Sequence, residues 1–385
     1  MYFKKTPIPF TIIDTPENAR CLDGSKPGIY YRPGEHKRNT LIYLEGVGNC
    51  AGHTVDDILE NCYQRSFTLI GSSKYRPSFF NESEIEGIFR EDDKTFGRWN
   101  LLIIPTCEGN LIQLILNILI LVKCLLLMQE MLLLNIKILL CISGHKKMLM
   151  FIFDYMIKNY QLNLNHNVIL SGSSAGAFGA HQYANYLQKI LPLTDVRIIP
   201  DSGFFLDSPE PFQQIVQVFG NFIKNDHYKT IFPECKYQTI GSDFYKCILL
   251  KYSWEFIQTD AFIIGSLYDN WALQYIYQIP CYNHFDQCDP ETLQFILSYG
   301  ETYKMLLSNI LSKKPNWGSW LISCGFHDFV QTNWYSNRNF TIPSSSKYTG
   351  QESLDQWINY RFLKSKQRID QVPYPNNKNC AYQYK

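Results

Sequence analysis

Short apolar runs, rich in Leu, Ile and Val, recur along the chain and are followed closely by Gly, Ser or Asp. Their lengths are those of buried strands, and helix-length amphipathic stretches lie between several of them. This alternation predicts an α/β fold with a doubly wound, mostly parallel sheet and helices on both faces. The predicted strands contain residues 41–44, 101–104, 167–170, 196–199, 261–264 and 319–322, and the clearest helices contain 151–159, 177–190, 211–223 and 291–311.

The chain of 385 residues is long enough for one large core, and no linker or repeat divides it, so we expect a single domain over residues 1–385. Its 36 basic and 35 acidic residues give a net charge of +1, which offers no general attraction to nucleic acid or to an anionic membrane. The sequence contains no phosphate-binding loop or dinucleotide fingerprint. We expect a monomer without a cofactor, with residues 367–385 as a tail pinned to its surface.

Residues 111–142 differ from the rest of the chain, because Leu, Ile, Met, Asn and Lys dominate them and Gly and Pro are absent. A membrane span is one interpretation, but Lys123 lies inside the stretch that would have to cross. A helix is the second, and apolar residues on every side would require its complete burial. Mistranslation, from a wrong frame or an unspliced insert, is the third. The sequence leaves all three open.

The 12 cysteines and two glycosylation sequons, at Asn81 and Asn339, favour an oxidising compartment. Residues 1–7 contain two lysines and a proline, so they lack the uninterrupted apolar run of a signal peptide. We expect a protein that is secreted or resides in the lumen of the secretory or digestive pathway, with a signal peptide that is not visible in these residues.

Residues 167–177 contain the strongest local motif, an apolar strand followed by Gly172-x-Ser174-x-Gly176 and the start of a helix. Small residues beside the serine permit the sharp turn that holds a nucleophilic hydroxyl above the edge of an α/β sheet. Ser174 is therefore the predicted nucleophile. The alternative is a tight turn without a catalytic role, and Ser171 and Ser173 lie on the same turn.

A nucleophilic serine needs a base that removes its proton and an acid that orients the base. In open α/β sheets these groups come from loops at the carboxyl ends of strands. Asp269 and His327 each follow a predicted strand, which gives the chain order serine, acid, histidine of α/β-hydrolases. We predict His327 as the base and Asp269 as the acid. The alternatives for the acid are Asp201, Asp207 and Asp328.

The oxyanion that forms during attack on an ester needs backbone N–H donors. Ala175 directly follows the predicted nucleophile and supplies one of them. The second donor comes from a glycine-containing loop after an early strand, and residues 45–50 are in that place. Gly46 and Val47 are the predicted donors, with an ordinary glycine turn as the alternative.

Residues 281–288 place two cysteines and a histidine close together, which resembles part of a metal site. A zinc site usually has a fourth ligand at recognisable spacing, and the sequence offers none. We expect no metal and a disulfide loop between Cys281 and Cys288.

Seven stretches, taken in chain order, resemble the pectin acetylesterases and their animal relative Notum, a carboxylesterase. They are residues 19–31, 44–46, 98–100, 171–176, 201–207, 268–271 and 323–327. The resemblance implies a single α/β-hydrolase domain, secretion, no metal and the same triad of Ser174, Asp269 and His327. It also implies two disulfide bonds, which join Cys21 to Cys107 and Cys50 to Cys62.

The resemblance implies a serine esterase that removes acetyl groups from a polysaccharide through an acyl-enzyme. Two alternatives stay open, namely removal of a longer acyl chain from a lipidated protein, as Notum does, and an inactive relative that binds glycans. A deep apolar pocket lined by Phe204, Phe205 and Trp271 would favour the longer acyl chain.

The sequence departs from the family pattern at three places. Val47 and Asn49 interrupt a loop that is usually richer in glycine, and a positive φ at Val47 would strain the turn. Asp328 follows the predicted base where the family often has cysteine. The apolar segment 111–142 replaces a more polar stretch.

Overall fold

The computed structural model describes residues 6–17, 19–48, 50, 55–107, 145–206, 235, 246–247, 249–342, 348–360, 366–374, 376–377 and 380. The apolar segment at 111–142, the predicted helix at 211–223 and the alternative acid Asp207 lie outside these residues.

Nine strands form one sheet in the described part of the chain. They are β1 (Phe10–Ile12), β2 (Gly28–Arg32), β3 (His36–Leu44), β4 (Trp99–Ile104), β5 (Asn167–Ser173), β6 (Asp195–Asp201), β7 (Asp260–Ser266), β8 (Gly318–Ile322) and β9 (Gln367–Ile369). The helices are α1 (Val55–Arg65), α2 (His145–Tyr160), α3 (Ala175–Ile190), α4 (Leu250–Ser253), α5 (Pro290–Lys313) and α6 (Gly350–Asn359). Short 3₁₀ turns and a π-helical turn at Ala272–Ile276 complete the described elements.

The strand order is β1-β2-β4-β3-β5-β6-β7-β8-β9. All pairs from β4 to β9 are parallel, and only β1 with β2 and β2 with β4 are antiparallel among the described strands. All six predicted strands are present, and the predicted mostly parallel sheet is confirmed. The sheet also contains β1, β2 and β9, which we did not predict.

The tail predicted at 367–385 differs from the structure in its first residues. Gln367, Arg368 and Ile369 form β9 and pair in parallel with β8, so the tail begins as an edge strand. Farther along, Cys380 is buried and bonded to Cys324. Strand β9 has three residues, two of them polar, so it lacks the short apolar run on which the strand prediction depended.

The sheet is covered on both faces. Along β3, Leu41 and Tyr43 belong to one buried cluster, whereas Ile42 and Leu44 belong to the other, as the alternation of side chains in a strand requires. The first cluster includes residues of α6, and the second includes residues of α2, α3 and α5. This confirms helices on both faces. Within the described ranges, no helix has the length and apolar character needed to cross a membrane.

Candidate active site

Ser174 occupies a strained turn between β5 and α3. Its φ of 52° and ψ of −116° lie in a region that residues with a side chain rarely adopt. The Ser174 N–H donates to the Asp201 carbonyl at 2.9 Å, and the Ser174 carbonyl accepts from Ala177 N–H at 3.0 Å. Hydrogen bonds on both sides therefore hold the turn in this conformation.

The two glycines of the serine motif are required by close backbone contacts. A Cβ atom on Gly172 would lie 2.4 Å from the Gly176 carbonyl oxygen. A Cβ atom on Gly176 would lie 2.1 Å from the carbonyl oxygen of Leu44, at the end of β3. Both distances are shorter than side chains tolerate, so the pattern around Ser174 reflects how tightly the turn packs on the neighbouring strand.

His327 and Asp269 lie in the loops that follow the neighbouring strands β8 and β7. The His327 Nδ1 atom is 2.7 Å from Asp269 Oδ2. A carboxylate oxygen accepts this hydrogen bond, so Nδ1 carries the proton in the neutral imidazole and Nε2 is the nitrogen left for chemistry. The other Asp269 oxygen accepts from Ala272 N–H at 2.9 Å, which fixes the carboxylate on a second side.

The other nitrogen of His327 faces a different carboxylate. Its Nε2 atom lies 3.6 Å from Asp328 Oδ1. Among the residues described, no hydrogen bond joins the Ser174 hydroxyl to His327, a looseness that is common in active sites without ligand. The structure thus brings His327 and Asp269 into direct contact, and it brings Ser174 to the same edge of the sheet.

Asp201, one of the alternative acids, binds the backbone instead of the imidazole. Its Oδ2 atom accepts from Phe329 N–H at 2.7 Å, from Val330 N–H at 2.8 Å and from the Ser173 hydroxyl at 3.0 Å. It therefore joins the turn of Ser174 to the loop that follows His327. Burial raises the pKa of Asp201, and these hydrogen bonds to the ionised form oppose that rise.

The pKa of His327 is raised to about 9. Burial alone would lower it, but attraction and hydrogen bonding from Asp269, together with attraction from Asp328 and Asp201, outweigh burial. The imidazolium form is therefore favoured at pH values well above the usual pKa of histidine.

The loop after β3 packs directly on the turn of Ser174. A Cβ atom on Gly46 would lie 1.8 Å from the Ser173 carbonyl oxygen and 3.2 Å from Ser174 Cβ. Within the described residues, the backbone N–H groups of Gly46 and Val47 form no hydrogen bond. Positive φ falls on Gly48, at 66°, and Val47 is not among the described residues with positive φ, so the strain considered for Val47 does not arise.

Charged side chains that the sequence analysis missed hold this loop. Arg65 of α1 donates to the Gly48 carbonyl at 3.2 Å and to the Val47 carbonyl at 3.4 Å. Glu45 pairs with Arg76, and its carboxylate accepts from Thr106 N–H at 3.0 Å. No local motif signals these contacts, because they join residues 17 to 61 positions apart.

Of the three predicted pocket residues, Trp271 contacts His327, and Phe205 contacts Trp271. The Trp271 ring stacks on the His327 ring, with the two centroids 5.5 Å apart. The Phe205 ring also contacts Trp271, and their centroids are 5.7 Å apart. Phe204 packs against Tyr303 instead, at 4.9 Å. Phe204 and Phe205 are only 3% and 4% exposed, so both contribute mainly to the core.

Five disulfide bonds lie among the described residues. Two of them join Cys21 to Cys107 and Cys50 to Cys62, the pairs implied by the resemblance. The others are Cys235–Cys247, Cys281–Cys288 and Cys324–Cys380. The Cys281–Cys288 bond removes both thiols of the segment that resembled a metal site. In the described ranges, no group of three or more His, Cys, Asp and Glu residues could hold a metal ion.

Comparison with known proteins gives matches over nearly the whole chain. The profile of the pectinacetylesterase family matches residues 2–113 and 138–381. Pectin acetylesterase 4 of Arabidopsis thaliana is 23% identical over 94% of this chain and 85% of its own length. Pectin acetylesterase 11 of the same plant is 24% identical over 83% of this chain and 80% of its own. The palmitoleoyl-protein carboxylesterase NOTUM of Schmidtea mediterranea is 26% identical over 67% of this chain and 47% of its own.

The parallel sheet, its covered faces and these matches define a carboxylic ester hydrolase of the α/β-hydrolase type. More particularly, the chain belongs to the pectinacetylesterase family. The resemblance, the fold class and the enzyme class predicted from the sequence are thereby confirmed. The family match also omits residues 114–137, which lie inside the unusual apolar segment.

Proposed function

We propose that the chain is a serine esterase that removes acetyl groups from a polysaccharide through an acyl-enzyme, with Ser174 as nucleophile. The observation that carries the proposal is the 2.7 Å contact between His327 Nδ1 and Asp269 Oδ2 at the sheet edge where the strained Ser174 turn lies. That contact leaves Nε2 as the basic nitrogen, as a serine esterase requires.

In the proposed reaction, Ser174 Oγ attacks the acetyl carbonyl carbon while His327 Nε2 takes the hydroxyl proton. Asp269 stabilises the imidazolium that forms. The tetrahedral intermediate then collapses, the proton passes from Nε2 to the departing sugar oxygen, and the acetyl group stays on Ser174. A water molecule, deprotonated by His327, attacks this ester and releases acetate and free Ser174.

The negative oxygen of the intermediate is stabilised by backbone donors in this proposal. The Ala175 N–H belongs to the first turn of α3, where N–H groups have no partner within the helix. Gly46 and Val47 offer further N–H groups on the loop that packs against the Ser174 turn. Arg65, Glu45 and the Cys50–Cys62 bond hold this loop, so the donors are positioned before substrate binds.

The acetylated substrate is supported by the relatives, since the pectin acetylesterases match over most of their own length and of this chain. Phe204 and Phe205 lie in the core, which leaves little of either ring to line a deep acyl pocket. Removal of a longer acyl chain is the second candidate, favoured by the match to the Notum carboxylesterase.

Action outside the cell, or in a secretory lumen, is supported by the disulfide bonds and by the sequon asparagines. Asn81 and Asn339 are both exposed, as glycosylation requires. Disulfide bonds of this number are typical of oxidising compartments.

Two assays test the activity and the substrate class. A fluorophosphonate probe should react with the folded protein, whereas an inactive glycan-binding relative would not react. Nitrophenyl esters of increasing acyl length should be hydrolysed fastest at acetate. A maximum at eight or more carbons would contradict the acetyl specificity and favour the Notum-like alternative.

A further inference from the structure

Asp328 is a second carboxylate beside the proposed base. It directly follows His327 and has a φ of 64°, a conformation that Asp and Asn adopt more readily than most residues. Its backbone N–H donates to the Ser202 hydroxyl at 3.0 Å, which holds the turn. Its Oδ1 atom is buried, has no hydrogen-bond partner among the described residues and lies 3.6 Å from His327 Nε2.

The second oxygen of Asp328 is held by a chain of polar side chains. Gln331 Nε2 donates to Asp328 Oδ2 at 3.3 Å, and the Tyr43 hydroxyl donates to Gln331 Oε1 at 2.7 Å. The Tyr43 hydroxyl is also 2.9 Å from the hydroxyl of Ser173, next to the proposed nucleophile. The carboxylate is therefore oriented with its free oxygen towards the imidazole.

The charged and titratable groups around Asp328 come from four elements. His327 lies on the same loop as Asp328, Asp201 is the last residue of β6, Asp269 follows β7 and Tyr43 comes from β3. Burial is the largest cause that raises the pKa of Asp328, to about 7; His327 opposes the rise, and Asp201 and Asp269 add to it. Asp328 in turn raises the pKa of His327.

We propose that Asp328 is a positioning residue that pairs with His327 Nε2, holds the imidazolium form and so sets the pH above which His327 acts as a base. The proposal rests on the proposed function, since it concerns the nitrogen that takes the Ser174 proton. A nitrogen that carries a proton towards Asp328 cannot accept one from Ser174. Removing the Asp328 charge therefore makes the basic form of His327 available at lower pH.

The test is the variant Asp328→Asn, which keeps the shape of the side chain and tolerates the positive φ. The pKa of His327 is measured directly by NMR of the imidazole nitrogens, and kcat/KM for nitrophenyl acetate is measured against pH. The imidazole pKa should fall by about 1 unit or more, as expected for loss of an opposite charge within about 4–6 Å. The acidic limb of the kcat/KM profile should move to lower pH by the same amount. Below that limb, kcat/KM should rise about tenfold.

Asp286→Asn, at an exposed carboxylate in the Cys281–Cys288 loop, is the matched control and should shift neither quantity. Asp328→Gly is the second variant, because glycine takes a positive φ without strain. An unchanged imidazole pKa in the folded Asn and Gly variants would overturn the pairing. The imidazole titration needs no turnover, so absence of esterase activity would refute the proposed function while a lowered imidazole pKa would still support the pairing.

Discussion

Three carboxylates surround the end of β8, and their hydrogen bonds separate their roles. Asp269 binds His327 Nδ1, Asp328 faces Nε2, and Asp201 accepts backbone N–H groups from the same loop. Asp201 ends β6, and Asp269 and Asp328 follow β7 and β8, so all three lie near the carboxyl ends of neighbouring strands. This is why sequence position left them as alternatives. Only the contacts of individual oxygen atoms distinguish them, and those depend on side-chain directions that sequence order does not specify.

Asp269→Asn should lower kcat by about 10⁴-fold, because the amide favours the wrong imidazole tautomer, with little change in stability. Asp201→Asn should instead lower the free energy of unfolding by about 1–3 kcal/mol, since its amide cannot accept every hydrogen bond that the carboxylate accepts. Nitrophenyl acetate turnover and urea unfolding of both variants measure the two effects. A larger loss of kcat in a stable Asp201→Asn variant would assign the acid to Asp201.

At the scale of elements, short apolar runs made the six central strands predictable. These strands are largely buried on both faces, so each contains a stretch in which apolar side chains predominate. The edge strands β1 and β9 have only three residues each, and two of the three in β9 are polar, so neither has an apolar run long enough to give that signal. The serine motif was also predictable, because its glycines indicate a sharp turn within a few residues of sequence. The contacts of Arg65 and Glu45 in the loop after β3 join residues that are far apart in the chain, so no local sequence pattern indicates them.

Gly176→Ala should destabilise the protein by about 1–3 kcal/mol, although alanine is the better helix former. The added methyl group would meet the Leu44 carbonyl oxygen at 2.1 Å and push the Ser174 turn away from β3. Gly265→Ala is the matched control, because its nearest atom would be 3.6 Å away. Urea unfolding should separate the two variants, and equal stabilities would contradict the close packing of the turn.

At the scale of the whole molecule, the family match covers both sides of the apolar segment and omits 114–137. A chain that follows its family up to residue 113 and again from 138 is what a misread insert would produce. We therefore favour that hypothesis over a membrane span or a buried helix. Sequencing a matched transcript should give a different amino-acid sequence between residues 113 and 138. An identical amino-acid sequence would refute the hypothesis.

The proposed chemistry depends on one oxygen atom, that of the Ser174 hydroxyl. The most direct test of this role is to measure acetate release from acetylated pectin by the wild-type protein and by the Ser174→Ala variant. Ser174 is 6% exposed, and its hydroxyl has no hydrogen-bond partner among the described residues, so alanine should leave the fold intact. Wild type should release acetate, and the variant should lose at least about 10³-fold in kcat/KM with an unchanged unfolding transition. Acetate release by the folded variant at the wild-type rate would contradict the account.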